Sequence, residues 1–292
     1  MKKFHILPII VAVGITAACN QPKSTHQSAN ATKVDVKNNN VEIAYTDTGT
    51  GDTTLLFVHG WAINKGYFTD QVKHFAGRYR VVTMDMPGFG KSGKNRDKWN
   101  TKTYATDVNA LIDQLKLKNV VLAGHSMAGD IVLQAAINQP DKVIAIIGID
   151  NFKGIGWVLT EKDRKEVADA VAEMSKHYTS FATMYFNDYL FSKTTSRAIK
   201  DRILYDVAHT DSVIATKAMA EGNGENHEVE NLRKYNKKLY LINSDYQPTD
   251  TTTIIAKKIP YKLMNIHGAG HFPMVEAPED FNKAMDVILK EI

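Results

Sequence analysis

The segment Val120-Val-Leu-Ala-Gly-His-Ser-Met-Ala-Gly129 constrains this chain more than any other. Its first residues are β-branched and apolar and read as a buried strand. Beyond the turn, Ala128, Ile131, Val132, Ala135 and Ala136 fall on one face of a helix that can dock on a sheet. A strand that passes this abruptly into a helix must hold Ser126 in a strained backbone conformation, its hydroxyl pointing out of the turn. Small residues two before (Gly124) and two after (Ala128) keep neighbouring atoms from colliding.

Two other segments supply groups that such a serine would need. The apolar run Thr54–Val58 leads into His59-Gly60-Trp61, where the glycine lets the loop fold back. The backbone N–H of Trp61 would pair there with that of Met127 to hold a developing oxyanion. Near the C-terminus, the strand-like run Tyr261–Ile266 opens into His267-Gly-Ala-Gly-His271-Phe-Pro273, which leaves His271 free to swing over Ser126.

With Asp85-Met-Pro-Gly-Phe-Gly-Lys-Ser92 and Pro278-Glu-Asp-Phe281 added to these segments, the chain resembles α/β-hydrolase-fold serine hydrolases of the esterase and lipase type, from about Val41 to the C-terminus. The resemblance implies a mostly parallel, doubly covered sheet with Ser126 as nucleophile and His271 as general base. Ala128 stands where the usual pattern has glycine, and alanine is small enough to fit. The acid of the family usually follows the penultimate strand, here Lys238–Asn243. Counting from Ser244 puts Gln247 in that slot, and an amide cannot stabilise an imidazolium as a carboxylate does. Two carboxylates remain. Asp150, at the end of the run Val143–Ile149, sits where some relatives carry their acid and is preferred. Asp245 is the alternative if the turn is shortened.

A chain of 292 residues, 43% hydrophobic and 23% charged, is long enough for a sizeable core. A net charge of +4 without a basic stripe argues against a nucleic-acid partner. The N-terminus is distinct. Met1-Lys-Lys precedes an apolar run, Ile6 to Ala18, too short to span a bilayer, and small residues lead to Cys19, the single cysteine. This resembles a bacterial lipoprotein signal, with Thr16 where leucine is commonest. It implies export, a lipid on Cys19 and membrane anchoring. An ordinary signal cleaved near Ala18 would leave the protein periplasmic or secreted.

The organisation expected is a signal peptide over 1–18, a polar tether over 19–33, hydrolase core over 34–151, a helical cap over 152–230 and the rest of the core over 231–292. Strand-like and helical runs alternate through the core, at Val41–Tyr45, Tyr67–Ala76, Arg80–Met84 and from Tyr104 to Leu115. The run from Phe152 to Glu230 has helical periodicity alone and begins at a candidate hinge, Gly154-Ile-Gly156. Its aromatics from Phe181 to Phe191 are dense enough to line an acyl pocket and equally suited to the cap's own core, so none is assigned a binding role.

Gly88-Phe-Gly90-Lys-Ser-Gly93 matches a dinucleotide-binding pattern literally, but no amphipathic helix follows it. As a phosphate loop it would need glycine at Asp85. No cysteine cluster or H-E-x-x-H pattern offers a metal site, and no cofactor is expected. The reading that results is hydrolysis of a small-molecule, ester-like bond through an acyl-enzyme. Lactonase, aminopeptidase and carbon–carbon bond hydrolase chemistries would use the same residues. A non-catalytic surface protein that binds a ligand is the alternative from another class, motivated by Gln247.

Overall fold

The computed structural model describes residues 31–222 and 227–292, so the signal segment and Cys19 lie outside the described residues. Eight strands form one sheet in the order β1-β2-β4-β3-β5-β6-β7-β8. They are β1 (Lys33–Asn38), β2 (Val41–Asp47), β3 (Thr54–Val58), β4 (Arg80–Met84), β5 (Val120–His125), β6 (Val143–Ile149), β7 (Leu239–Ser244) and β8 (Tyr261–Ile266). β2 runs antiparallel to β1 and β4, and every pairing from β4 to β8 is parallel.

Helices cover both faces. On one, α2 (Thr101–Gln114), α3 (Ala128–Asn138) and α8 (Glu228–Tyr235) pack side by side, and on the other α1 (Thr69–Phe75), α10 (Pro273–Glu276) and α11 (Pro278–Leu289) do so. Cover on both sides explains why β3, β5 and β7 are buried at every residue and read as continuous apolar runs. The expected fold class is therefore the one found. β1 begins at Lys33, the last residue expected in the tether. It is an edge strand in which Val36 alone is buried, joined to β2 through Asn39 and Asn40 in left-handed conformation.

Between β6 and β7 the described chain is helical: α4 (Glu161–Lys176), α5 (Tyr178–Tyr185), a π-helical turn (Phe186–Leu190), α6 (Arg197–Ala208), α7 (Ser212–Gly222) and then α8. α4 to α7 pack on one another, whereas α8 rejoins the core against α3. α9 (Thr252–Ala256) lies between β7 and β8.

The β5–α3 turn is tight. A Cβ on Gly124 would lie 2.4 Å from the Ala128 carbonyl oxygen and 2.8 Å from a Val132 methyl. Gly124→Ala should therefore cost about 1–3 kcal/mol of stability through overpacking against backbone that cannot yield, read as a lowered thermal midpoint.

At the other end of the sheet, Arg80 on β4 grips Asp47 on β2, with Nε 3.0 Å from Oδ1 and Nη2 2.7 Å from Oδ2. The side chains are 18% and 5% exposed. Burial opposes ionisation of Asp47, but the Arg80 guanidinium and the Gly49 N–H hold its carboxyl below the usual range. That contribution is complete above the unfolded value near 3.9 and fades as the pH falls through the lower folded value. Asp47→Asn should lose about 3 kcal/mol at pH 7. In urea unfolding, the gap from wild type should close as the pH drops below about 4.

Candidate active site

Ser126 has φ +53°, the left-handed conformation that a strand-to-helix turn imposes on it. Its N–H donates to the Ile149 carbonyl at 2.9 Å, and its own carbonyl accepts from Gly129 N–H at 2.9 Å and from Asn151 Nδ2 at 3.3 Å. A Cβ on Gly129 would fall on that Asn151 amide, so the glycine admits the side chain that clamps the turn.

His271 lies at the turn through Nε2, 2.7 Å from Ser126 Oγ, and its Nδ1 is 2.6 Å from Asp150 Oδ2. With Asp150 ionised, Nδ1–H donates to the carboxylate and Nε2 accepts from the serine hydroxyl. The loop is fixed at both ends. His271 N–H donates to the Leu190 carbonyl at 2.9 Å, at the close of the π-helical turn, and its carbonyl accepts from His125 Nε2 at 2.7 Å. Glu276 takes the flanking amides, Gly270 N–H at 3.0 Å and Phe272 N–H at 3.1 Å, and the Thr195 hydroxyl at 2.6 Å.

Asp150, 2% exposed, follows the last residue of β6 and also has positive φ. Its Oδ1 accepts from Ser244 N–H at 2.8 Å and Ser244 Oγ at 2.6 Å and pairs with the Lys153 ammonium at 2.8 Å. These donors leave Oδ2 to His271. Burial pushes the carboxyl up, but His271 and Lys153 outweigh it and hold it well below the usual carboxylate range.

Asp245, the alternative acid, instead meets His267, with Oδ2 2.6 Å from Nδ1, on the exposed surface. Gln247 donates to the Tyr189 carbonyl at 3.1 Å. The His59-Gly60-Trp61 loop presses on the elbow: a Cβ on Gly60 would lie 2.7 Å from His125 Nδ1 and 3.1 Å from Ser126 Cβ. Met127 caps the N-terminus of α3, where N–H groups lack intrahelical partners. Burial keeps both neighbouring histidines neutral, with His125 pushed down to about 3 and His59 also lowered. His59 Nε2 accepts from Met86 N–H at 2.9 Å. The glycine-rich segment has a structural role: Asp85 accepts from Lys65 N–H at 2.7 Å and Lys91 N–H at 2.9 Å, and a Cβ on Gly90 would collide with its carboxylate.

A cavity of about 320 Å³ opens over these groups. Trp61, Ser126, Met127 and His271 share its wall with Tyr185, Phe186, Leu190 and Met219 from the helical insertion. Phe186 also packs 5.9 Å from Trp61 and 6.1 Å from Phe272 of the core loops, and 6.2 Å from Phe191 of the insertion, ring centre to ring centre, so this one ring lines the cavity and packs at once. The Trp61 indole N–H donates to the Ala215 carbonyl on α7 at 2.8 Å, tying the insertion to the core loop. Among the described residues, no group of three or more His, Cys, Asp or Glu side chains is placed to hold a metal ion. Sequence reasoning did not reach Lys153, Ser244 or Glu276. A serine at the end of β7, opposite an aspartate at the end of β6, was the one local signal available.

Comparison with known proteins gives the same architecture. The magnesium-chelatase 30 kDa subunit of Rhodobacter capsulatus is 33% identical over 117 residues, covering 39% of this chain. The chain thus spans only 41% of that curated relative's length. The 3-oxoadipate enol-lactonase 2 of Acinetobacter baylyi is 23% identical over 254 residues, covering 86% of this chain and 94% of that protein. A thermophilic esterase from Thermogutta terrifontis superposes with a TM-score of 0.77 at 19% identity, covering 89% of this chain and 97% of that one, a likeness of fold. Residues 53–278, from the start of β3 to the start of α11, match the alpha/beta hydrolase fold family, and the chain belongs to that family.

Proposed function

We propose that the protein is a serine hydrolase that cleaves a carboxylic ester-like bond through an acyl-enzyme. The observation that carries this reading is the continuous chain from Ser126 Oγ through the His271 ring to Asp150, at 2.7 and 2.6 Å, on a nucleophile with positive φ. In this reading His271 Nε2 takes the Ser126 proton as Oγ attacks the carbonyl carbon, and the N–H groups of Trp61 and Met127 receive the oxyanion. The imidazolium then passes the proton to the leaving oxygen. A water molecule, deprotonated by the same nitrogen, attacks the acyl-enzyme and releases the acid. Asp150 fixes the tautomer and balances the imidazolium charge. Serine at 126 departs from the aspartate nucleophile of haloalkane dehalogenase and epoxide hydrolase chemistry.

The same machinery accommodates a lactone, an aminoacyl bond or a carbon–carbon bond adjacent to a carbonyl, and the long alignment with an enol-lactonase favours lactones as the first alternative. Gln247 motivates a non-catalytic binding protein, and the contact between Asp150 and His271 supports the hydrolase reading over it. We further propose that the chain is exported and carries lipid on Cys19. Among the described residues no helix is long and apolar enough to cross a membrane.

Assayed with p-nitrophenyl esters of graded acyl length, Ser126→Ala should lose turnover on the order of a million-fold. Asp150→Asn should lose about ten-thousand-fold, because the amide admits the wrong tautomer. Asp245→Asn should stay within about threefold of wild type, since no proton of the reaction passes near it. Equal losses at both aspartates, or no labelling of Ser126 by a fluorophosphonate, would remove the assignment. Mass spectrometry of the membrane fraction should find diacylglyceryl on Cys19 in the full chain and none in Cys19→Ala, which should leave the membrane.

A further inference from the structure

The catalytic cavity adjoins a second one. A chamber of about 980 Å³ shares with it the wall formed by Thr101, Asp130, Lys153, Gly222 and Gln247. Both charged side chains of that wall belong to segments that follow site residues: Asp130 lies in the first turn of α3, four residues after Ser126, and Lys153 three after Asp150. Their situations differ. Lys153 is held by Asp150 at 2.8 Å and the Ser244 carbonyl at 3.1 Å. Among the described residues, no donor or cation answers the Asp130 carboxylate, and burial pushes it up to about 6. Of the acids of the larger chamber, Glu221 accepts from Trp99 N–H at 2.7 Å and Asp250 from Thr252 N–H at 2.9 Å.

Asp130 thus brings a carboxylate to the wall of the cavity that holds Ser126, and among the described residues only the N-terminal end of α3 favours its charge; a ligand's cation would complement it there. The same cavity is lined from the insertion by Tyr185, Phe186 and Leu190. We propose that Asp130 determines specificity by receiving a cationic group of the substrate, a primary ammonium in the simplest case, while an apolar portion rests on the insertion's aromatics. This inference rests on the hydrolase reading for the word substrate, but the binding it requires does not.

The test begins with binding to Ser126→Ala, measured by calorimetry with n-alkylammonium ions of two to six carbons and the uncharged alcohols of equal length. At the best length the ammonium should bind at least about tenfold more tightly than the alcohol. Asp130→Asn should bring the ratio to about one. Asp130→Glu, which retains the charge and extends it by one methylene, should keep the preference and shift it to a shorter ion. In the wild-type background, p-nitrophenyl 6-aminohexanoate should surpass the heptanoate in kcat/KM, and Asp130→Asn should erase the difference. Equal binding of ammonium and alcohol, or a preference that survives Asp130→Asn, overturns the proposal. A preference for ammonium without cleavage of either ester sustains it and removes the hydrolase reading instead. Cleavage of both esters without preference for charge does the reverse.

Discussion

The carbonyl of Ala128 occupies the space that a Cβ on Gly124 would need, and the arrangement at the top of the sheet depends on that approach. It forces the chain to reverse from strand to helix within a few residues, and this reversal puts Ser126 at φ +53°. The hydroxyl then stands above the carboxyl end of a parallel sheet, where the loops after β3, β6, β7 and β8 converge. The strain is borne by backbone hydrogen bonds to β6 and by the Asn151 clamp, so the turn holds its shape before any ligand arrives.

Charge is arranged with the same economy. Asp150 is a buried anion, tolerable only because donors and a cation surround it. Each comes from a different part of the chain: Ser244 from the end of β7, Lys153 from the start of the insertion, His271 from the loop after β8. Three segments far apart in sequence thus meet on one carboxylate, which orients the imidazole and also fastens the loops around it.

Much of the fold was legible because parallel strands covered on both faces are written as uninterrupted apolar runs. Thr54–Val58 and Val143–Ile149 could be bounded to the residue for that reason, whereas Arg80–Met84 and the edge strand Tyr261–Ile266 mix polar residues in and were bounded by the turns that flank them. β1 escaped because an edge strand with one buried residue carries little pattern. At the site, Ser126 and His271 announced themselves through local glycine-rich turns, whereas the choice between Asp150 and Asp245 turned on which carboxylate comes near His271, a contact across 121 positions. Lys153 meets Asp150 from three residues away and Glu276 meets Phe272 from four, but neither spacing belongs to a motif that singles it out, and Ser244 reaches Asp150 across 94 positions. The aromatics of the insertion were ambiguous for a physical reason: Phe186 serves the packing and the cavity with one ring.

The hydrogen bond from His271 N–H to the Leu190 carbonyl crosses from the sheet to the insertion at a π-helical turn. The inner face of the insertion, through Tyr185, Phe186, Leu190 and Met219, lines the cavity over Ser126. Here one of its carbonyls also sets the height of the histidine. Helices transplanted from a relative would therefore have to reproduce that single acceptor as well as a new pocket. Change in this insertion is thus coupled to the placement of the His271 ring.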